Sequence, residues 1–238
     1  MHAAKRTGFG ILLLLVCAIR SHEAASPDDP EKDSQLPRLL QEARALIKEK
    51  RWPDAIEKCD RVIASFQAHY GSRKEKIYCA RTSAESLGYL MKAALDKVNA
   101  IALSATWADA YFIKAYALQD LKRIAEAKSA VQLALALSPM SSHYLSELGE
   151  IYQLEKNWPK AQESFAAAED NAPLSPDEAK NDELGRARRG LAYVFVELGK
   201  LDEAEKKYQQ CLVADPHDTR AARELEYVRE LRRKTKAQ

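Results

Sequence analysis

The chain has 238 residues, with 37 Lys and Arg against 35 Asp and Glu, and 46% of its residues are hydrophobic. That balance fits an ordinary folded protein of one or two domains and excludes a strongly basic binder of nucleic acid. Only 8 Gly and 9 Pro interrupt a chain rich in Ala, Leu, Glu, Lys and Arg, all good helix formers, so an almost entirely helical protein is expected.

The first 25 residues read as a secretory leader. Lys5 and Arg6 precede the apolar run Phe9–Ile19, and the small residues Ala18, Ala24 and Ala25 follow. A basic start, about ten apolar residues and small residues behind them make a signal peptide, cut after Ala18 or after Ala24–Ala25. The run falls short of the roughly 20 residues of a membrane span. Cys17 suggests lipidation, but Val16 stands where a lipidation box takes a small residue, which argues against it. Removing Lys5 and Arg6 leaves a neutral chain with no general pull on nucleic acid or on anionic surfaces. Residues 26–35, "SPDDPEKDSQ", read as a polar linker.

Beyond the linker the chain repeats itself. "EKRWPDA" at Glu49–Ala55 returns as "EKNWPKA" at Glu155–Ala161. Ala93, Ala127 and Ala161 recur every 34 residues; Ala55 lies 38 before Ala93, and Ala204 lies 43 after Ala161. Pro139, Pro173 and Pro216 each fall 12 residues after Ala127, Ala161 and Ala204. The best copy, Ser142–Pro173, carries Leu148-Gly149, Tyr152, Ala161, Phe165, Ala168 and Pro173. The last carries Leu191-Ala192, Phe195, Ala204, Tyr208, Cys211 and Pro216.

This 34-residue pattern resembles the tetratricopeptide repeat. The resemblance implies an all-α fold, a right-handed α-α superhelix of about five helix-turn-helix repeats at 36–69, 74–107, 108–141, 142–175 and 176–218. Residues 219–238 would form a capping helix with Ala222, Leu225, Val228 and Leu231 on one face. The repeat at 74–107 is the weakest match. The Trp-Pro phrase fits a hairpin turn, with Pro53 and Pro159 opening the second helices and Trp52 and Trp158 packed in the corner. "SPDEAKNDEL" at Ser175–Leu184 is a strong helix start, so a long helix from about Pro176 to Glu197 is expected. "YGSRKEK" near Ser72 would lengthen the first helix of the second repeat.

Catalytic and metal patterns are missing: no Gly-rich phosphate loop, no His-Glu-x-x-His, no Cys-x-x-Cys. His69, His143 and His217 are scattered, and no cofactor or metal is expected. Cys211 falls on a small-residue stripe and reads as packing. Cys59 and Cys79 would lie on neighbouring helices, either as a disulfide or as two buried thiols. An enzyme is not expected.

In tetratricopeptide proteins the first helices of the pairs line a concave face that binds partner proteins. The resemblance places Arg44, Lys48, Tyr78, Asp109, Phe112, Tyr116, His143, Glu150, Arg186, Arg189 and Tyr193 there. The aromatic and Arg members, with Glu150, are the candidate partner-binding groove. The Lys/Arg/Asn clamp of chaperone-tail-binding members is not matched, because Leu40, Arg44, Cys79, Asp109 and Ile113 stand in its place. The expected function is a non-catalytic interaction scaffold exported to a periplasm or cell envelope. A cytosolic regulatory or substrate-delivery subunit of an enzyme complex is the alternative.

Overall fold

A computed structural model describes residues 29–236; the expected leader and its cleavage sites lie outside them. Helices α1 (Gln35–Lys48) and α2 (Trp52–Tyr70) form a first antiparallel hairpin. Strand β1 (Lys76–Ala80), helix α3 (Ser83–Leu95) and strand β2 (Ala100–Ser104) follow. Three more hairpins come next: α4 (Thr106–Asp120) with α5 (Ile124–Leu137), α6 (Ser142–Leu154) with α7 (Trp158–Asn171), and α8 (Asp177–Glu197) with α9 (Leu201–Ala214). Helix α10 (Thr219–Lys236) closes the row. Each hairpin stacks on the next, giving an α-helical repeat solenoid.

The hairpins share one corner geometry. Lys50, Lys122, Lys156 and Gly199 all take left-handed backbone, with φ of 60°, 62°, 55° and 71°. In every corner this residue donates its N–H to the carbonyl three back, and the next residue donates to the carbonyl five back, as Lys156 does to Gln153 and Asn157 to Tyr152. This double bond pattern satisfies the last carbonyls of the first helix and reverses the chain. It explains why Glu-Lys-x-Trp is written twice. The fourth residue of each second helix, Ala55, Ala127, Ala161 or Ala204, is fully buried, because the paired helices approach too closely there for a larger side chain.

The segment expected as the repeat 74–107 is not a helix hairpin. Helix α2 packs directly on α4, so the stack bypasses residues 71–105, which form a β-α-β unit instead. Strands β1 and β2 pair in parallel, from Lys76 opposite Ala100 to Ala80 opposite Ser104, with α3 as the crossover. Alternation along β1 sends Ile77 and Cys79 into the core shared with α1, α2 and α4, and Tyr78 towards α3, where it stacks on Tyr89 at 5.1 Å. "YGSRKEK" accordingly ends α2 and turns into β1 rather than lengthening a helix. Cys79 lies on a strand. Cys59 and Cys79 are both buried and unpaired, and burial pushes each thiol up to about 12.

Buried polar contacts clasp this unit to the solenoid. Arg81, just past β1, donates to Glu85 Oε1 at 2.9 Å and to Glu183 Oε1 of α8 at 2.6 Å. Ser175 donates to the same Glu183 carboxylate at 2.6 Å. Thr82 caps α3 by accepting from Glu85 N–H and donates to Leu174 O at 3.0 Å. Ser138, in the α5–α6 turn, donates to Cys79 O at 2.6 Å. Helix α8 carries 21 residues where α1, α4 and α6 carry 13 to 15, and Glu183 sits on its extra N-terminal turns.

Two further expectations change. The stretch read as a linker is docked from Asp29 on: Tyr70 donates to Asp29, and Ser104 donates through both N–H and Oγ to Glu31. In α10 it is Ala221, with Leu225 and Val228, that is buried, while Ala222 faces outward.

The corners yield a stability test. A left-handed Lys costs about 1–2 kcal/mol against Gly, reduced by the extra chain entropy that Gly loses on folding. Lys156→Gly should therefore raise the stability by about 0.5–1 kcal/mol, read as a higher urea midpoint at unchanged m-value.

Candidate functional site

The inner row of the solenoid consists of the first helices α1, α4, α6 and α8, and polar contacts lace it from end to end. Arg44 of α1 donates to Asp109 of α4 at 2.9 Å, and Asp109 also accepts from Tyr144 OH of α6 at 2.6 Å. Gln119 of α4 bonds Glu147 of α6. Arg186 of α8 bridges Glu147 at 2.6 Å and Glu150 at 2.8 Å. Arg189 pairs with Asp218 ahead of α10. Burial opposes the Arg186 charge, but its two carboxylate partners outweigh that and raise its pKa.

The floor of the row between α6 and α8 is set by one ring. Phe165 of α7 is fully buried between Gly149 and Gly190. A methyl on Gly149 would come within 2.8 Å of the ring, and one on Gly190 would overlap it. Two glycines therefore let α6 and α8 close over Phe165. Above this floor opens a cavity of about 490 Å³, walled by Glu150, Arg186, Arg189 and Tyr193 and bounded by Asp182 and Arg220. Tyr193 is 42% exposed and meets Trp158 at 6.3 Å with the two rings tilted by 59°. Asp182 and Arg220 have no ion-pair partner among the described residues.

The eight candidate groove residues thus divide. Glu150, Arg186, Arg189 and Tyr193 surround one cavity. Tyr116 stands exposed on α4, apart from that cavity. Phe112 is partly buried, 4.3 Å from the His143 ring and stacked on Tyr144 at 5.2 Å. Arg44 is half exposed but tied to Asp109. Tyr78 does not belong to the groove: it lies on β1, 4% exposed, because its segment is a strand and not a first helix. Of the other inner-face expectations, Asp109 is the hub between Arg44 and Tyr144, and Lys48 is exposed at the end of α1. Asp182, Arg220 and the buried Glu147 were missed. Arg220 lies beyond the last repeat and Asp182 on the extra turns of α8, so a rule confined to repeat positions passes over both. Among the described residues no three His, Cys, Asp or Glu side chains gather as a metal site, and no helix is long and apolar enough to cross a membrane.

Residues 108–139 and 187–222 each match a family model described as tetratricopeptide repeat. These are the α4–α5 hairpin and the run from α8 into α10. The chain carries tetratricopeptide repeats over these two stretches. Solved structures with the same fold include PilF of Pseudomonas aeruginosa, with a TM-score of 0.59 at 14% identity over 84% of this chain and 69% of that one. MamA of Desulfovibrio magneticus RS-1 gives 0.55 at 12% over 86% and 89%. Another MamA structure gives 0.51 at 18% over 81% and 83%. At such identities the likeness concerns the fold alone. No curated protein sequence matches the chain significantly.

Two outcomes test the packing of this inner row. Gly190→Ala forces a methyl into the Phe165 ring and should destabilise by about 1–3 kcal/mol, measured by urea unfolding. His143 is held below its ordinary 6.5 by burial and then by the Arg186 charge. The folded state then binds fewer protons than the unfolded one, so stability falls as pH drops below about 6.5 and levels off below the folded-state pKa. The urea midpoint of the wild type should fall between pH 7 and pH 5.5, and that of His143→Gln should fall less.

Proposed function

We propose that this protein is a non-catalytic adaptor that holds an extended segment or helix of a partner protein against its inner row. Its contact site is the cavity between α6, α8 and α10. The observation that carries this reading is the make-up of the cavity: Phe165 buried beneath Gly190 at its base, an exposed aromatic wall at Tyr193, and Arg220 and Asp182 left without ion-pair partners at the rim. Aromatic and Arg side chains are the residue types that dominate interface energetics. Free charges of both signs at the rim suit a polar backbone or side chains of either charge.

The same row argues against chemistry. Its conspicuous charges, Arg44, Arg186 and Arg189, are already spent on Asp109, Glu147, Glu150 and Asp218, so they knit repeats together rather than converge on a reacting atom. Residues 1–25, with Lys5, Arg6 and the run Phe9–Ile19, support export of the adaptor to a periplasm or envelope.

Site-directed photo-cross-linking tests the reading. A photoreactive residue at Tyr193 should give a discrete adduct in cells, and one at Val213, 84% exposed on α9, should not. Arg220→Glu should reduce the Tyr193 adduct about tenfold, as loss of an interfacial charge of the right sign does. Equal adducts from both positions, or none from Tyr193, would remove the cavity as the contact site.

A further inference from the structure

Helix α3 buries only a narrow stripe, Glu85, Tyr89 and Ala93, against its own sheet and Met140 of the α5–α6 turn. The opposite face carries Leu87, Leu90, Met91 and Leu95, which are 61%, 39%, 58% and 82% exposed, and Val98 follows at 48%. Ala84 and Ala94 complete that face, and its one acidic neighbour is Asp96 past the helix end. A helix apolar on both sides is normally covered on both. Together these five large side chains expose on the order of 500 Å², as large as the biggest patches on soluble monomers. This is the greatest concentration of exposed large apolar side chains among the described residues.

Charge identifies what covers it. The end of α3 and the neighbouring start of β1 carry five exposed cations, Arg73, Lys74, Lys76, Lys92 and Lys97, against Glu75 and Asp96. Asp96 is engaged by Lys92 at 3.0 Å. Lys74, Lys76 and Val98 border one surface hollow, so the cations sit beside the apolar residues and not across the molecule from them. The chain is close to neutral in total, which makes this clustering local. An apolar helix face with cations beside it on the neighbouring segments matches the interfacial zone of a bilayer, where the apolar side enters the acyl boundary and the cations meet anionic headgroups. A second copy fits less well. Face-to-face pairing would bring two like-charged clusters together, and the patch falls short of the ~800 Å² per partner of a standard protein interface.

We propose that the outer face of α3 docks the protein on an anionic lipid surface, lying in the interface without crossing it. The β-α-β unit, clasped through Arg81 to α8, is the element that carries the docking helix, and the solenoid remains outside the bilayer.

A probe on the helix itself reads this out independently of the leader. The described native cysteines are buried, so an environment-sensitive fluorophore on Met91→Cys in the full chain, compared with the unsubstituted chain as labelling control, reports α3. With vesicles of phosphatidylcholine and phosphatidylglycerol the emission should shift to the blue. Half-maximal shift should need at least tenfold less lipid than with phosphatidylcholine alone, and 1 M salt should remove that advantage. The same probe on Val213→Cys should not shift, and adding Leu87→Asp and Leu95→Asp should abolish the shift at Met91→Cys. No shift with anionic vesicles, an equal response to neutral ones, or a shift that survives the two Asp substitutions would overturn the proposal. A blue shift that grows with protein concentration in the absence of lipid would overturn it too, assigning the face to self-association.

Discussion

One guanidinium joins the irregular part of this molecule to the regular part. Arg81 leaves the end of β1 and lies between two carboxylates that are almost removed from water, Glu85 on α3 and Glu183 on α8. Neither carboxylate is affordable alone in that position, because a buried charge without its partner is strongly destabilising. Burial pushes the Glu183 carboxyl up, but hydrogen bonds from Arg81 and Ser175 outweigh it and hold the pKa below the ordinary range. The clasp therefore fixes several things together: the seat of the β-α-β unit, the start of α8, and the direction in which α3 turns its apolar face.

The helical pairs were legible because each corner and each close contact demands a particular residue type. Ala55, Ala127, Ala161 and Ala204 mark places where only a small side chain fits, and the Glu-Lys-x-Trp phrase marks the left-handed corner. The unit at 71–105 was not legible, and its length is the reason. Ala55 and Ala127 are 72 residues apart, close to two periods, so an inserted unit of about one repeat's length leaves the spacing undisturbed. Ala93 then fell on the period although it belongs to a crossover helix. Strands of five residues carry little periodic signal, yet Ile77-Tyr78-Cys79 and the cap Thr82-x-x-Glu85 were local signs of a strand running into a new helix.

The two departures from the 34-residue period prove to be one feature. The long start of α8 and the insertion before α4 meet at Glu183 and Arg81, and Leu174 and Ser175 in the preceding turn meet Thr82 and Glu183. A one-dimensional repeat, in which each unit touches only its neighbours, is here cross-tied between the insertion that follows its first hairpin and its last hairpin. The groove was legible only in part for a related reason. Position in the repeat located Glu150, Arg186, Arg189 and Tyr193, but it could not say that the arginines have inter-repeat partners, nor that residues outside the repeat, such as Arg220, complete the wall. The proposed contact surface consequently offers fewer free charges than the list of inner-face residues implies.

If the insertion and the solenoid form one unit through this clasp, their local stabilities are shared. Native-state hydrogen exchange on the protein and on Arg81→Met tests that directly. The account predicts that amides of β1, α3 and β2 and those in the first turns of α8, residues 177–184, lose protection together in the variant, while α4–α5 keeps theirs. Loss confined to the β-α-β unit, with the start of α8 as protected as in the wild type, would show that the two parts are merely adjacent.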